Sequence, residues 1–321
     1  YTYDQQPEVV GHLKATLMDL AAYYHADAQD SGNIESYRLA GRWYRNFLAA
    51  FPVDPDSAHT KVLLAEVLFE SGDFRAAVVE YERTAYGYPF HAESAEAGYA
   101  ALLAYAEIEA SIDASASEPW RRQQIESALR FADTYPEHLE ANAAMTNAAE
   151  RLFELNEIER ARDVGRALLA REPAPERELQ RTAWTVVAHS EFDLESFAAA
   201  EVAYLELMRF FAPDDPQRPE IIERIASSIY KQGEQARLAG DFAMSVEHFL
   251  RVATMTPTSS IVATARYDAA ADLLVLEDWQ RAAGVLEAFR ADYPGHEYAA
   301  DVTAKLAVAY LNSGNAIMAA A

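Results

Sequence analysis

Tyr88-Pro89-Phe90-His91, Tyr135-Pro136-Glu137-His138 and Tyr293-Pro294-Gly295-His296 are one four-residue phrase occurring three times, and Phe51-Pro52 is a close variant. The prolines extend the pattern: Pro52, Pro89, Pro136, Pro173, Pro213, Pro257 and Pro294 are separated by 37, 47, 37, 40, 44 and 37 residues. Proline cannot donate a backbone hydrogen bond and disfavours helix in the residue before it, so each marks a place where a helix stops. A recurring interval of this size is the signature of a repeat architecture.

The text upstream of each proline also recurs. A small residue is followed one turn later by a large one in Ala40…Tyr44, Ala77…Tyr81, Ala200…Tyr204 and Ala282…Leu286. Before it comes a polar turn and an aromatic: Gly72-Asp73-Phe74, Gly240-Asp241-Phe242, Glu277-Asp278-Trp279. Each unit therefore reads as a helical hairpin, in which neither helix can bury its apolar stripe without a neighbour. Only 12 Gly and 13 Pro are spread over 321 residues, too few for strands punctuated by turns, and hydrophobic residues make up 51%.

These residues resemble the tetratricopeptide repeat family over nearly the whole chain. Ala65, Leu68, Gly72, Ala77, Tyr81 and Pro89 fit its pattern, as do Ala149, Leu152, Asn156, Ala161 and Pro173. So do Gly233, Ala236, Gly240, Phe249 and Pro257, and Ala270, Leu273, Trp279, Ala282, Leu286 and Pro294. The unit before Pro136 departs, with Gln124 and Ala128 at the second-helix positions. The resemblance implies an all-α superhelical solenoid of about seven hairpins plus a terminal helix near 296–313. The unit of about 37 residues is loosely similar to repeats of bacterial envelope proteins, among them outer-membrane assembly lipoproteins and periplasmic cell-division coordinators.

The segment 111–119 is small and polar and predicts a long loop inside the third hairpin. Pro213-Asp214-Asp215-Pro216-Gln217-Arg218-Pro219 predicts an insertion between hairpins, and divides the chain into repeats 1–212 and, continuous with them, 213–321. The chain reads as a segment of a longer protein.

The formal net charge is −24, from 51 acidic and 27 basic residues, without a basic cluster to attract phosphate backbones. Nucleic acid is not an expected partner. No cysteine is present, so disulfides and thiolate sites are excluded. No apolar run approaches the ~20 residues of a membrane span, so direct insertion of this segment is not expected. The chain contains no nucleophile elbow, P-loop or dinucleotide glycine fingerprint, and reads as non-catalytic without a cofactor or metal. His91, His138 and His296 recur once per repeat, which predicts a turn or capping role at helix starts rather than convergence on a metal.

The family resemblance implies that first helices line a concave face and bind a protein or peptide there. The positions avoiding the packing stripe are Glu66, Phe69, Tyr99, Leu103, Glu150, Phe153, His189, Phe192, Tyr230, Glu234, Arg237 and Tyr267. Aromatic side chains suit this task because they bury large area at low entropic cost. So acidic a surface favours a partner with basic residues. The expected role is an interaction scaffold in a bacterial envelope assembly, periplasmic or outer-membrane-attached in preference to cytoplasmic. The alternative is a recruiting arm of a larger enzyme or polysaccharide-export protein.

Overall fold

A computed structural model describes residues 6–87 and 91–319; Tyr88, Pro89 and Phe90 of the first phrase lie outside the described residues. The described residues form helices and no strand. In chain order they are α1 (Pro7–Ser31), α2 (Ile34–Ala50), α3 (Ser57–Glu70), α4 (Phe74–Tyr86), α5 (Ser94–Ser111), α6 (Ala114–Thr134), α7 (Ala141–Glu154) and α8 (Ile158–Leu169). After these come α9 (Arg177–Asp193), α10 (Phe197–Met208), α11 (Arg218–Leu238), α12 (Phe242–Met255), α13 (Val262–Val275), α14 (Trp279–Asp292), α15 (Ala299–Asn312) and the short α16 (Ala316–Ala319). The chain divides into two compact units, residues 1–151 and 152–321. Each is a stack of helical hairpins, and the fold is an all-α helical-repeat solenoid.

The turn inside a hairpin is made by the backbone itself. Residues 72, 156, 195, 240, 277 and 314 have φ between 57° and 80°, the left-handed region. At the first of these the Gly72 N–H donates to the Phe69 carbonyl at 2.9 Å and the Asp73 N–H to Leu68 at 2.9 Å. The same pair of bonds recurs at the other five turns, so orphan carbonyls at each first helix's end are satisfied locally. The next residue then caps the second helix. Asp73, Asp241 and Asp278 accept from the N–H groups of Ala76, Met244 and Arg281 at 3.4, 3.0 and 3.2 Å.

The turn between hairpins is set by proline. Phe51, Tyr135, Thr256 and Tyr293 each precede a proline and share φ between −125° and −136° and ψ between 52° and 62°. Their N–H groups still bond four residues back, after which the chain leaves the helix. In the Tyr-Pro-x-His phrases the histidine closes the turn into the next helix. His91, His138 and His296 accept through Nδ1 from the N–H two residues on, at 3.3, 3.1 and 3.2 Å. The expected turn role is thus met by a side chain mimicking an Asx turn.

Counting back from the pre-proline residue places α2, α6, α12 and α14 in one register. Four positions back lie Phe47, Phe131, Val252 and Phe289, all fully buried. Seven back lie Tyr44, Ala128, Phe249 and Leu286. Burying each large side chain contributes roughly 1.5–3 kcal/mol, and the small residues beside them allow close helix approach. In the second unit, Val187, Tyr204, Ile225, Ile229 and Phe249 belong to one continuous core, and Leu273, Leu286, Phe289 and Leu306 to a second.

The expected loop at 111–119 is corrected: α6 begins at Ala114 and Pro119 lies within it. Alanine at 114 and 116 favours helix, and Pro119 stands near the start of α6, where it forfeits one backbone bond. Polarity does not separate the two readings, because serine and glutamate suit the first turn of a helix as well as they suit a loop.

Candidate protein-binding face

The twelve candidate residues all lie on first helices: Glu66 and Phe69 on α3, Tyr99 and Leu103 on α5, Glu150 and Phe153 on α7. His189 and Phe192 are on α9, Tyr230, Glu234 and Arg237 on α11, and Tyr267 on α13. Leu103 and Glu150 are exposed and the other ten are half-buried. Their neighbours differ, and those neighbours decide what each side chain is free to do.

Phe69 and Phe192 pack edge-on against Phe74 and Phe197, each pair at 5.2 Å across its own hairpin turn. Tyr230 and Tyr267 reach forward to the next first helix. The Tyr230 hydroxyl donates to Asp268 on α13 at 2.6 Å, and the Tyr267 hydroxyl to Asp301 on α15 at 2.5 Å. Arg237 joins the first contact, donating to Asp268 at 3.1 Å and to the buried Asp272 at 3.0 Å while lying 4.7 Å from the Phe249 ring. These are clasps between successive repeats. Tyr230 and Asp268 stand 38 residues apart, about one repeat, and that spacing is the sequence signal that finds such a pair.

His189 turns inward. The Tyr204 hydroxyl lies 2.8 Å from its Nδ1, and Phe153 lies against the ring at 6.1 Å. Burial, with Arg224 adding, holds the His189 imidazole below the ordinary histidine range, so it is kept neutral. Burial also pushes the Tyr204 phenol up to about 12. Glu66 is raised above the usual carboxylate range by burial, and Glu234 pairs with Lys231 at 2.6 Å.

In the first unit α5 and α7 leave an open apolar groove between them, with α6 beneath. Tyr99, Leu102, Leu103 and Ala106 form one wall, and Ala143, Ala144, Asn147 and Ala148 the other. Tyr99 is held from below by Phe131 at 6.1 Å and His138 at 5.7 Å. At the groove's end Glu109 accepts from both Arg151, at 2.7 Å, and Arg121, at 2.5 Å.

Left-handed turns at residues 72, 156, 195, 240, 277 and 314 and pre-proline exits after α2, α6, α12 and α14 now stand together. The fold is tetratricopeptide-like. Among solved structures it is similar to a tetratricopeptide repeat protein from Parabacteroides merdae, at 16% identity over 92% of this chain and 99% of that one, with a TM-score of 0.36. It is also similar to the TPR2AB domain of yeast Sti1, solved as a pHSP90 complex, at 12% identity over 93% and 99%, TM-score 0.34. A third is Pseudomonas aeruginosa pilF, at 14% identity over 77% and 97%, TM-score 0.32. No protein-family model and no curated protein matches the chain. Among the described residues of this tetratricopeptide-like array, no three His, Cys, Asp or Glu side chains are grouped to hold a metal ion. No described helix is long and apolar enough to cross a membrane.

Proposed function

We propose that the chain is a protein-interaction scaffold that takes a peptide or a domain of a partner along its first-helix face. The observation that carries this is the α5–α7 groove, whose walls are apolar and whose lip, Leu103, is 45% exposed. A groove between parallel helices suits a helix or an extended peptide, with side chains entering between the walls. The net charge of −24 steers a positively charged partner and makes its association salt-dependent. We further propose a bacterial envelope assembly as the setting, supported by the 37-residue spacing and the Tyr-Pro-x-His phrase.

Affinity capture from source cells with the wild-type chain and with Leu103→Asp tests the scaffold reading. Leu103 is exposed, so the substitution leaves stability within about 1 kcal/mol. A partner retained by wild type and lost with Leu103→Asp supports the reading; identical capture by both proteins overturns it. Fractionation of the source cell tests the setting, and a cytoplasmic signal alone removes the envelope proposal.

A further inference from the structure

We propose that the floor of the α5–α7 groove is a receptor pocket for one aromatic side chain bearing a hydrogen-bond donor, a tryptophan or tyrosine on a positively charged segment of the partner. The inference rests on the scaffold reading and specifies its anchor.

The register is the starting point. Seven positions before the pre-proline residue, α2, α12 and α14 carry Tyr44, Phe249 and Leu286; eleven before, they carry Ala40, Ser245 and Ala282. In α6 the same two positions hold Ala128 and Gln124, so small and large are exchanged. The large side chain that α2, α12 and α14 bury here, a ring in the first two, is missing, and a cavity of about 210 Å³ lies at that place. Small-molecule sites usually measure about 300–1,000 Å³, so this one is sized for a single side chain rather than a cofactor. In α8 the corresponding small residue, Gly165, leaves no such space. A Cβ there would come within 2.8 Å of Val187, which closes the gap.

Chemistry narrows the occupant. Gln124 lines the cavity, and its Oε1 is buried with no hydrogen-bond partner among the described residues. A buried acceptor without a donor carries a desolvation cost that a donor entering with the ligand removes. An aliphatic or phenylalanine side chain lacks that donor, whereas an indole N–H and a phenol O–H supply it. The chain uses the same device elsewhere. The Tyr44 and Tyr204 hydroxyls lie 3.1 and 2.8 Å from His25 and His189 across their hairpins. Glu140 lies at the rim, Glu109 holds both Arg151 and Arg121, and the net charge of −24 over the chain favours positive flanks on the partner.

The probes are the tripeptide amides lysyl-tryptophanyl-lysine, lysyl-phenylalanyl-lysine and lysyl-leucyl-lysine, titrated into the full chain and followed by amide NMR shifts. Saturable shifts centred on Leu103, Ala128, Ala144 and Asn147 are expected with the tryptophan peptide, and affinity roughly three- to tenfold weaker for the phenylalanine peptide. Gln124→Met should bring the two to parity. Ala128→Tyr, which places there the ring that α2 carries as Tyr44, should abolish binding; if it does not fold, Ala144→Leu fills the same space from the other wall. Shifts absent at these residues, unchanged binding by the filled variant, or equal affinity for all three peptides overturns the proposal. Loss of this pocket with partner capture still sensitive to Leu103→Asp leaves the scaffold reading standing. Peptide binding here with capture insensitive to Leu103→Asp has the opposite meaning.

Discussion

Gly233 and Phe249 meet with no room for a methyl group between them: a Cβ on Gly233 would lie 2.6 Å from the Phe249 ring. Phe249 is fully buried, with Tyr230 packed at 5.0 Å and the Arg237 guanidinium at 4.7 Å, so the ring has nowhere to retreat. Gly233→Ala is expected to destabilise by about 1–3 kcal/mol through overpacking. Urea unfolding measures it. Adding Phe249→Leu should recover part of the loss, giving a double variant less unstable than the sum of the singles.

The left-handed turn residues give a prediction of opposite sign. Glu195 and Glu277 occupy φ of 57° and 58°, where Gly72 and Gly240 sit at 79° and 80° in the equivalent turns. A side chain in that region costs about 1–2 kcal/mol. Glu277→Gly should raise the melting temperature, and Gly240→Ala should lower it, each without changing helix content by circular dichroism.

The clasp between α11 and α13 can be dissected one atom group at a time. Asp272 is 3% exposed and accepts from Ser245 Oγ at 2.6 Å and from Arg237 Nε. Asp272→Ala leaves a half-buried guanidinium short of its partner and should cost roughly 3 kcal/mol. Tyr230→Phe removes only the hydroxyl bond to Asp268 and should cost about 1.5 kcal/mol. Because the pairs are partly shielded from water, 0.5 M salt should leave both differences nearly unchanged in chemical denaturation.

Acid should loosen the second unit through His189. Its folded value is depressed by burial, so the unfolded chain binds the proton first as pH falls below the ordinary histidine value of 6.5. Stability contributed by the neutral ring is therefore complete above that value and is lost as pH falls toward the folded one. His25 and His248 are depressed by burial in the same direction. The melting temperature of wild type should drop more between pH 7.5 and pH 5 than that of His189→Gln. Equal slopes would contradict a buried neutral imidazole.

Much of the fold was legible in the sequence because its punctuation is chemical. Pro136 and Pro294 force their preceding tyrosines out of the helix, and Asp73, Asp241 and Asp278 are capping residues wherever they stand. The start of α6 was not legible, since Ser111 to Glu118 has loop composition and helix propensity at once. On the candidate face, spacing identified which residues sit on first helices, but not which are already engaged. Tyr230 and Tyr267 look alike in sequence to Tyr99, yet their hydroxyls are held by Asp268 and Asp301 on the following repeat. That assignment depends on how far one helix slides along the next, which no local pattern encodes. The cavity at Ala128 was visible only as a broken motif; that the break leaves space rather than a rearranged core needed coordinates.

Among the described residues, the backbone bonds that close both kinds of turn span at most five residues, the most extensive helix packing joins consecutive elements, and the clasps reach only to the next repeat. Such a molecule need not wait for its last residues before its first ones settle. Each hairpin can dock on its predecessor as it leaves the ribosome, so synthesis and folding can proceed at the same pace.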